Sequence, residues 1–125
     1  MLGPVKSRDL DRPVLVSVET LVPEDDFYRQ VEQKLDLSFV RDWVKGRYAE
    51  IGRPSIDPVA FFKLQLVLYL EGLRSERQFM RMAADRVSVR WYTGYDLDEP
   101  LPDHSREIRR TFCGRCGVRA MSRER

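Results

Sequence analysis

Five arginines between residues 74 and 90 are the side chains in this sequence best suited to bind a polyanion. They are Arg74, Arg77, Arg81, Arg86 and Arg90, and the same window holds two acidic residues, Glu76 and Asp85. The guanidinium group is planar and always charged, so it can bind a phosphate or the edge of guanine through two parallel hydrogen bonds. The first three arginines follow at the spacing i, i+3 and i+7, which places them on one face of a helix. The pattern indicates either contact with nucleic acid or an ordinary solvated helix face.

The other reactive side chains lie near the C-terminus and do not form a recognisable site. Cys113 and Cys116 have the spacing of half a zinc site, but the other half is missing, because His104 lies outside the usual ligand spacing. Asp103 and Ser105 flank this histidine, and helix capping suits them better than a catalytic triad, which is defined by geometry rather than by adjacency. We predict two incidental thiols, no metal, no cofactor and no small-molecule substrate.

Charge is distributed unevenly along the 125 residues, although the formal net charge is only +2. Residues 103–125 hold seven arginines against three acidic residues, whereas residues 1–102 hold fifteen basic and seventeen acidic residues. A nucleic-acid contact in the body of the chain therefore needs a localised basic face. No apolar run reaches the length of a membrane span, and the N-terminus has no signal-peptide pattern, so we expect a cytoplasmic protein that does not enter membranes.

The arginine-rich window must be positioned by the helix that precedes it. Asp57 and Pro58 form a helix start, and the helix runs to Gly72 with apolar residues on nearly all sides. Such a helix belongs at the centre of a bundle, so we predict that it forms the core. Ser75 and Gln78 have the spacing of a capping box and start the next helix, over 75–84. The two helices and their short turn have the outline of a helix-turn-helix.

The rest of the chain predicts further helices, an N-terminal arm and a tail. The predicted helices are 24–35, then one from Asp36 or Ser38 to a stop at 52–54, then 86–92 ending at Gly94, and a last one from Asp103 or Ser105 to Phe112. Alternating residues at 14–18 predict an extended arm on the helices. The fold class is therefore all-α: a small helical bundle with a helix-turn-helix-like pair, an extended N-terminal arm (1–22), a helical domain (23–105) and an irregular C-terminal tail (106–125).

Five phrases of the sequence together resemble a known family. They are Gly-Arg-Pro-Ser-Ile-Asp-Pro at 52–58, Phe-Phe-Lys-Leu-Gln-Leu at 61–66, Glu-Gly-Leu-Arg-Ser-Glu-Arg at 71–77, Arg-Trp-Tyr-Thr-Gly-Tyr at 90–95 and Leu-Asp-Glu-Pro-Leu-Pro-Asp-His-Ser at 97–105. In this order and spacing the stretch 10–105 resembles the N-terminal domain of bacterial insertion-sequence transposases that carry an Asp-Asp-Glu catalytic domain. The resemblance implies a helical domain that helps to recognise the terminal inverted repeats of a mobile element in double-stranded DNA.

The chain departs from that family after Ser105, where an Arg-, Gly- and Cys-rich tail stands in place of the catalytic domain. We hypothesise that residues from about 106 onward are out of frame or otherwise unrelated to the family. The three catalytic carboxylates, which would hold two metal ions for phosphoryl transfer, have no counterpart here. We therefore expect a truncated, non-catalytic DNA-binding fragment with the five arginines as contacts.

A helical protein-interaction module is the alternative that the sequence leaves open. In an intact transposase this region could pack on the catalytic domain or on a second copy of the chain in a homo-oligomer. Trp43, Phe79 and Trp91 are the apolar side chains suited to such an interface. A contiguous basic face would favour DNA, and an exposed apolar patch would favour a protein partner.

Overall fold

Six helices and no strand make up the parts of the chain that the computed structural model describes, which are residues 1–6, 9–45 and 56–102. The helices are α1 (Val18–Leu21), α2 (Phe27–Lys34), α3 (Phe39–Lys45), α4 (Pro58–Leu70), α5 (Glu76–Asp85) and α6 (Val87–Thr93). The prediction of a small all-α fold is confirmed. No helix in these ranges combines the length and the apolar character needed to cross a membrane.

Polar caps begin α4 and α5, as predicted. The Asp57 carboxylate accepts a hydrogen bond from the backbone N–H of Ala60, and Pro58 occupies the first turn of α4. The Ser75 hydroxyl accepts from the backbone N–H of Gln78 at 3.3 Å and begins α5. Gly94 ends α6 at φ 86°, a left-handed conformation that glycine adopts without steric cost.

The core is built around α6, which contacts α1, α2, α4 and α5. Its buried cluster combines one or two side chains from each of α2, α4, α5 and α6, namely Tyr28, Leu64, Val67, Phe79, Ala83, Val89 and Tyr92. The Tyr28 and Tyr92 rings stack with their centroids 5.5 Å apart, so the two largest buried side chains join α2 to α6.

The apolar helix at 57–72 contributes to the core as expected, but the expectation that it lies at the centre of the bundle is wrong. Leu64 and Val67 of α4 are fully buried, but Tyr69 is 81% exposed and Leu70 is also exposed at the end of the same helix. A helix that is apolar on all sides can be covered on any side, so its composition does not determine which neighbours surround it. The less apolar α6 occupies the central position instead.

The N-terminal arm ends in a helix, which the alternating pattern at 14–18 did not predict. The Ser17 hydroxyl accepts from the Thr20 N–H while the Thr20 hydroxyl accepts from the Ser17 N–H, a reciprocal cap that begins α1 within the predicted arm 1–22. Val14, Leu15 and Val16 before it are exposed rather than packed on the helices. The helix predicted at 24–35 begins later, at Phe27, because the Asp26 carboxylate caps it through the Tyr28 N–H.

Several sequence-based predictions fall outside the described residues. They are the helix stop at 52–54, the last helix from Asp103 or Ser105 to Phe112, His104, the pair Cys113 and Cys116, and the tail 106–125.

Candidate nucleic-acid interface

Helix α5 presents one apolar face to the core and one polar face to solvent. Phe79 and Ala83 are buried against the neighbouring helices. Arg77 and Arg81 are exposed and lie one turn apart, so their side chains project from the same outward face. The amphipathic pattern that buries Phe79 thus fixes the direction of the two arginines.

Arg74 lies in the turn before α5 rather than on the helix. Ser75 has an extended backbone as the N-cap, so the helical spacing that joined Arg74 to Arg77 and Arg81 in the sequence does not hold there. Arg74 is nevertheless exposed next to the beginning of α5. Within the described ranges the side chains of these three arginines make no hydrogen bond and no ion pair.

Arg86 is committed to an interaction inside the fold. Its Nη1 donates to Oε1 of Glu71 at 2.6 Å, and the Tyr28 hydroxyl donates to the same oxygen at 2.6 Å. The hydrogen bond from Tyr28 and then Arg86 lower the pKa of Glu71 against the opposing effect of burial. Burial and the bond to Glu71 raise the pKa of Tyr28. The Arg86 charge is therefore balanced by a carboxylate that also anchors α2.

Arg90 holds the loop after α6 against the end of α5. Its Nε donates to the Ala84 carbonyl at 2.8 Å, and its Nη1 donates to the carbonyls of Asp96 and Glu99 at 2.6 and 2.8 Å. The Arg90 guanidinium group, which the sequence analysis predicted as a DNA contact, is thus hydrogen-bonded to backbone carbonyls of the fold. The predicted five-arginine face is thus divided into three outward side chains and two that serve the fold.

Helix α6 follows α5 after the single residue Arg86, which makes α5 and α6 the most closely connected helix pair. Every residue of α6 is buried or half-buried, and four helices contact it. A recognition helix must expose a face that can enter a groove of the duplex. Of these two helices, α5 is the one that can do so.

The Gln78 side chain is exposed beside the two arginines of α5 and was missed as a candidate by sequence reasoning. The spacing from Ser75 predicted a capping partner, and only the backbone half of that cap is formed. In the described structure the side-chain amide of Gln78 makes no hydrogen bond. The amphipathic pattern of 75–84 could have indicated that this side-chain amide is exposed.

The three aromatic residues suggested for a protein interface have different positions. Phe79 is buried in the core. Trp91 is half-buried, donates its indole N–H to Glu19, and has the Arg29 guanidinium 4.5 Å from its ring centroid. Trp43 is 56% exposed on α3, one turn from Phe39, which is 60% exposed. An apolar surface therefore exists on α3, and Phe39 is a member that the sequence analysis did not select.

Acidic side chains do not gather into a metal site in the described ranges. A shallow groove of about 350 Å³ is lined by residues that include Glu32, Lys63 and Tyr92. The Lys63 ammonium donates to the Glu32 carboxylate at 2.7 Å and lies 4.9 Å from the centroid of the Tyr92 ring. Asp57, which also lines the groove, accepts from the Arg41 guanidinium at 3.1 Å, so each charged side chain of the groove has a partner.

The helical fold and the outward arginines of α5 are those of a small helical domain with a local basic surface. Residues 16–109 match the family model described as a transposase domain (DUF772), a stretch that includes all six helices. The chain belongs to this transposase domain family. Comparisons with curated proteins and with solved structures give no match.

Proposed function

We propose that this chain binds double-stranded DNA as the N-terminal part of an insertion-sequence transposase and recognises the ends of the element. The observation that carries the proposal is a set of three exposed arginines: Arg74 in the turn before α5, and Arg77 and Arg81 on the helix. A transposase must bring its element ends together, and the family membership supports a role in that reaction.

The charges of α5 favour an approach through its N-terminal half. Arg74 and Arg77 lie on either side of Glu76 in the sequence at the beginning of the helix, which leaves one net positive charge there, whereas Asp85 is its last residue. Phosphate oxygens are attracted to the positive end of the helix dipole and repelled by a carboxylate. The proposed contact therefore runs from Arg74 to Arg81 and leaves the end of α5 away from the duplex.

Binding to a labelled duplex tests the proposal. Fluorescence anisotropy would compare the wild-type chain with the double variant Arg77→Ala, Arg81→Ala on a duplex carrying the terminal repeat of the element and on an unrelated duplex. The double variant should bind both more weakly, because it lacks two phosphate or base contacts. A matched control, Arg12→Ala with Lys34→Ala, removes two exposed cations elsewhere and should bind like the wild type.

In this proposal the chain binds DNA without cutting it, because the resemblance assigns cleavage to a separate catalytic domain. A supercoiled plasmid carrying the element should remain unnicked after incubation with the chain and Mg²⁺. Nicking that scales with the amount of chain would overturn the non-catalytic part of the proposal, while the anisotropy experiment tests DNA binding separately.

A protein-interaction surface on α3 is a second candidate, supported by the exposed pair Phe39 and Trp43. Exposed aromatic residues of this kind are enriched in the centre of protein interfaces. In this case sedimentation velocity would show a concentration-dependent dimer that Phe39→Ser with Trp43→Ser converts to a monomer. A wild-type chain that stays monomeric would exclude a second copy as the partner.

A further inference from the structure

We propose that Gln78 reads an adenine in the major groove and so gives the α5 surface its sequence preference. This inference rests on the proposed DNA-binding function and deepens it. Arginine contacts to phosphates position a protein on DNA but carry no sequence information. Recognition of particular element ends therefore requires a side chain that can distinguish base edges.

Gln78 has the position that such a reader needs. It follows Arg77 directly and precedes Arg81 by one turn, so all three side chains lie on the outward half of α5. Its backbone N–H is fixed by the Ser75 hydroxyl at 3.3 Å, while its side chain is exposed. The backbone of Gln78 is therefore fixed, and its side-chain amide is exposed and can contact a ligand.

The amide of Gln78 also has the chemistry that adenine recognition needs. It offers a donor and an acceptor, which can bind N7 and the N6 amino group of adenine as a bidentate pair. In helices that enter the major groove, the residues near the N-terminus reach the base edges. Gln78 is the third residue of α5, within this part of the helix.

Selection from a randomised duplex library, followed by sequencing, tests the inference. The wild-type chain should enrich a motif with an adenine at one fixed position. Gln78→Ala should lose the preference at that adenine by roughly 5- to 150-fold, the value of one bidentate base contact. Gln78→Glu should replace adenine by cytosine at the same position, because a carboxylate accepts from the cytosine amino group.

Exposed Gln33 on α2 provides the matched control, and Gln33→Ala should reproduce the wild-type motif. Circular dichroism would verify that each variant is folded. An unchanged motif in both Gln78 variants would overturn the assignment of Gln78 while leaving DNA binding intact. Failure of the wild-type chain to bind or enrich any duplex would instead overturn the proposed function and this inference with it.

Discussion

The indole N–H of Trp91 donates a hydrogen bond to the carboxylate of Glu19, which joins α6 to the four-residue helix α1. Arg29 donates to the same carboxylate at 2.6 Å and also to the backbone carbonyls of Glu19, Val22 and Pro23. A helix of four residues has too few backbone hydrogen bonds to be stable alone. The Glu19 carboxylate therefore joins α1 to α6, while the backbone carbonyls that accept from Arg29 attach α1 to α2 without it.

Acid should release α1 from α6. The hydrogen bond from Trp91 and then Arg29 lower the pKa of Glu19 below its ordinary value of 4.5. A carboxyl group with a lowered folded-state pKa contributes stability above its unfolded pKa and loses it as the pH falls through the folded value. In a Trp43→Phe variant, Trp91 is the remaining tryptophan, and its fluorescence should change as the pH falls below about 4.5.

The variant Glu19→Gln, in the same Trp43→Phe background, is the control for the acid effect. It cannot titrate at position 19, so its Trp91 fluorescence should be flat over this pH window. An equal response in both proteins would assign the change to other carboxyl groups.

Arg90→Lys should destabilise the fold by about 1–3 kcal/mol without a specific effect on DNA affinity. Lysine has a single ammonium group and cannot reproduce the separate Nε and Nη1 bonds to the carbonyls of Ala84, Asp96 and Glu99. Urea denaturation followed by circular dichroism measures the loss. A variant that keeps full stability but binds DNA less tightly would show that Arg90 contacts DNA instead of stabilising the fold.

Glu71→Ala should also destabilise the protein, by about 1–3 kcal/mol, because it leaves the Tyr28 hydroxyl and Arg86 without their shared acceptor. Tyr28→Phe should cost less, since it removes the buried donor together with its need for a partner. A double-mutant cycle on the free energy of unfolding should give a coupling between the two positions. Additive effects would contradict the shared role of the Glu71 carboxylate.

Two substitutions on α4 test its one-sided burial. Leu64→Ala should cost about 2–5 kcal/mol, because the side chain is fully buried in the core and leaves a cavity. Tyr69→Ala on the exposed side should change the free energy of unfolding by less than about 0.5 kcal/mol. Thermal denaturation measures the stability of both variants. Equal losses of stability would show that both sides of α4 are covered.

Local chemistry made three helix boundaries predictable from the sequence. Asp57, Ser75 and Gly94 act through hydrogen bonds or backbone conformations within a few residues, and all three mark helix ends where predicted. The central position of α6 depends on contacts with four other helices, so no local pattern reveals it.

The division of the arginine face could not be predicted from the sequence, because it also depends on contacts between distant parts of the chain. Arg86 and Arg77 have the same side chain, and only the fold brings the Glu71 carboxylate within 2.6 Å of Arg86. The carbonyls that bind Arg90 depend on the path of the loop after α6. Spacing along the chain selected an arginine-rich segment but could not separate guanidinium groups that stabilise the fold from those that face solvent.

The salt dependence of DNA binding tests most directly the claim that the outward arginines contact phosphates. Each phosphate contact adds about 0.9 to the slope of log K against log salt concentration. A variant with Arg74, Arg77 and Arg81 all replaced by Gln should lose about 2 to 3 from the wild-type slope. A charge-matched variant with exposed Arg12, Lys34 and Lys45 replaced by Gln should keep it. Equal slopes for the two variants, or no salt-dependent binding by the wild-type chain, would contradict the claim.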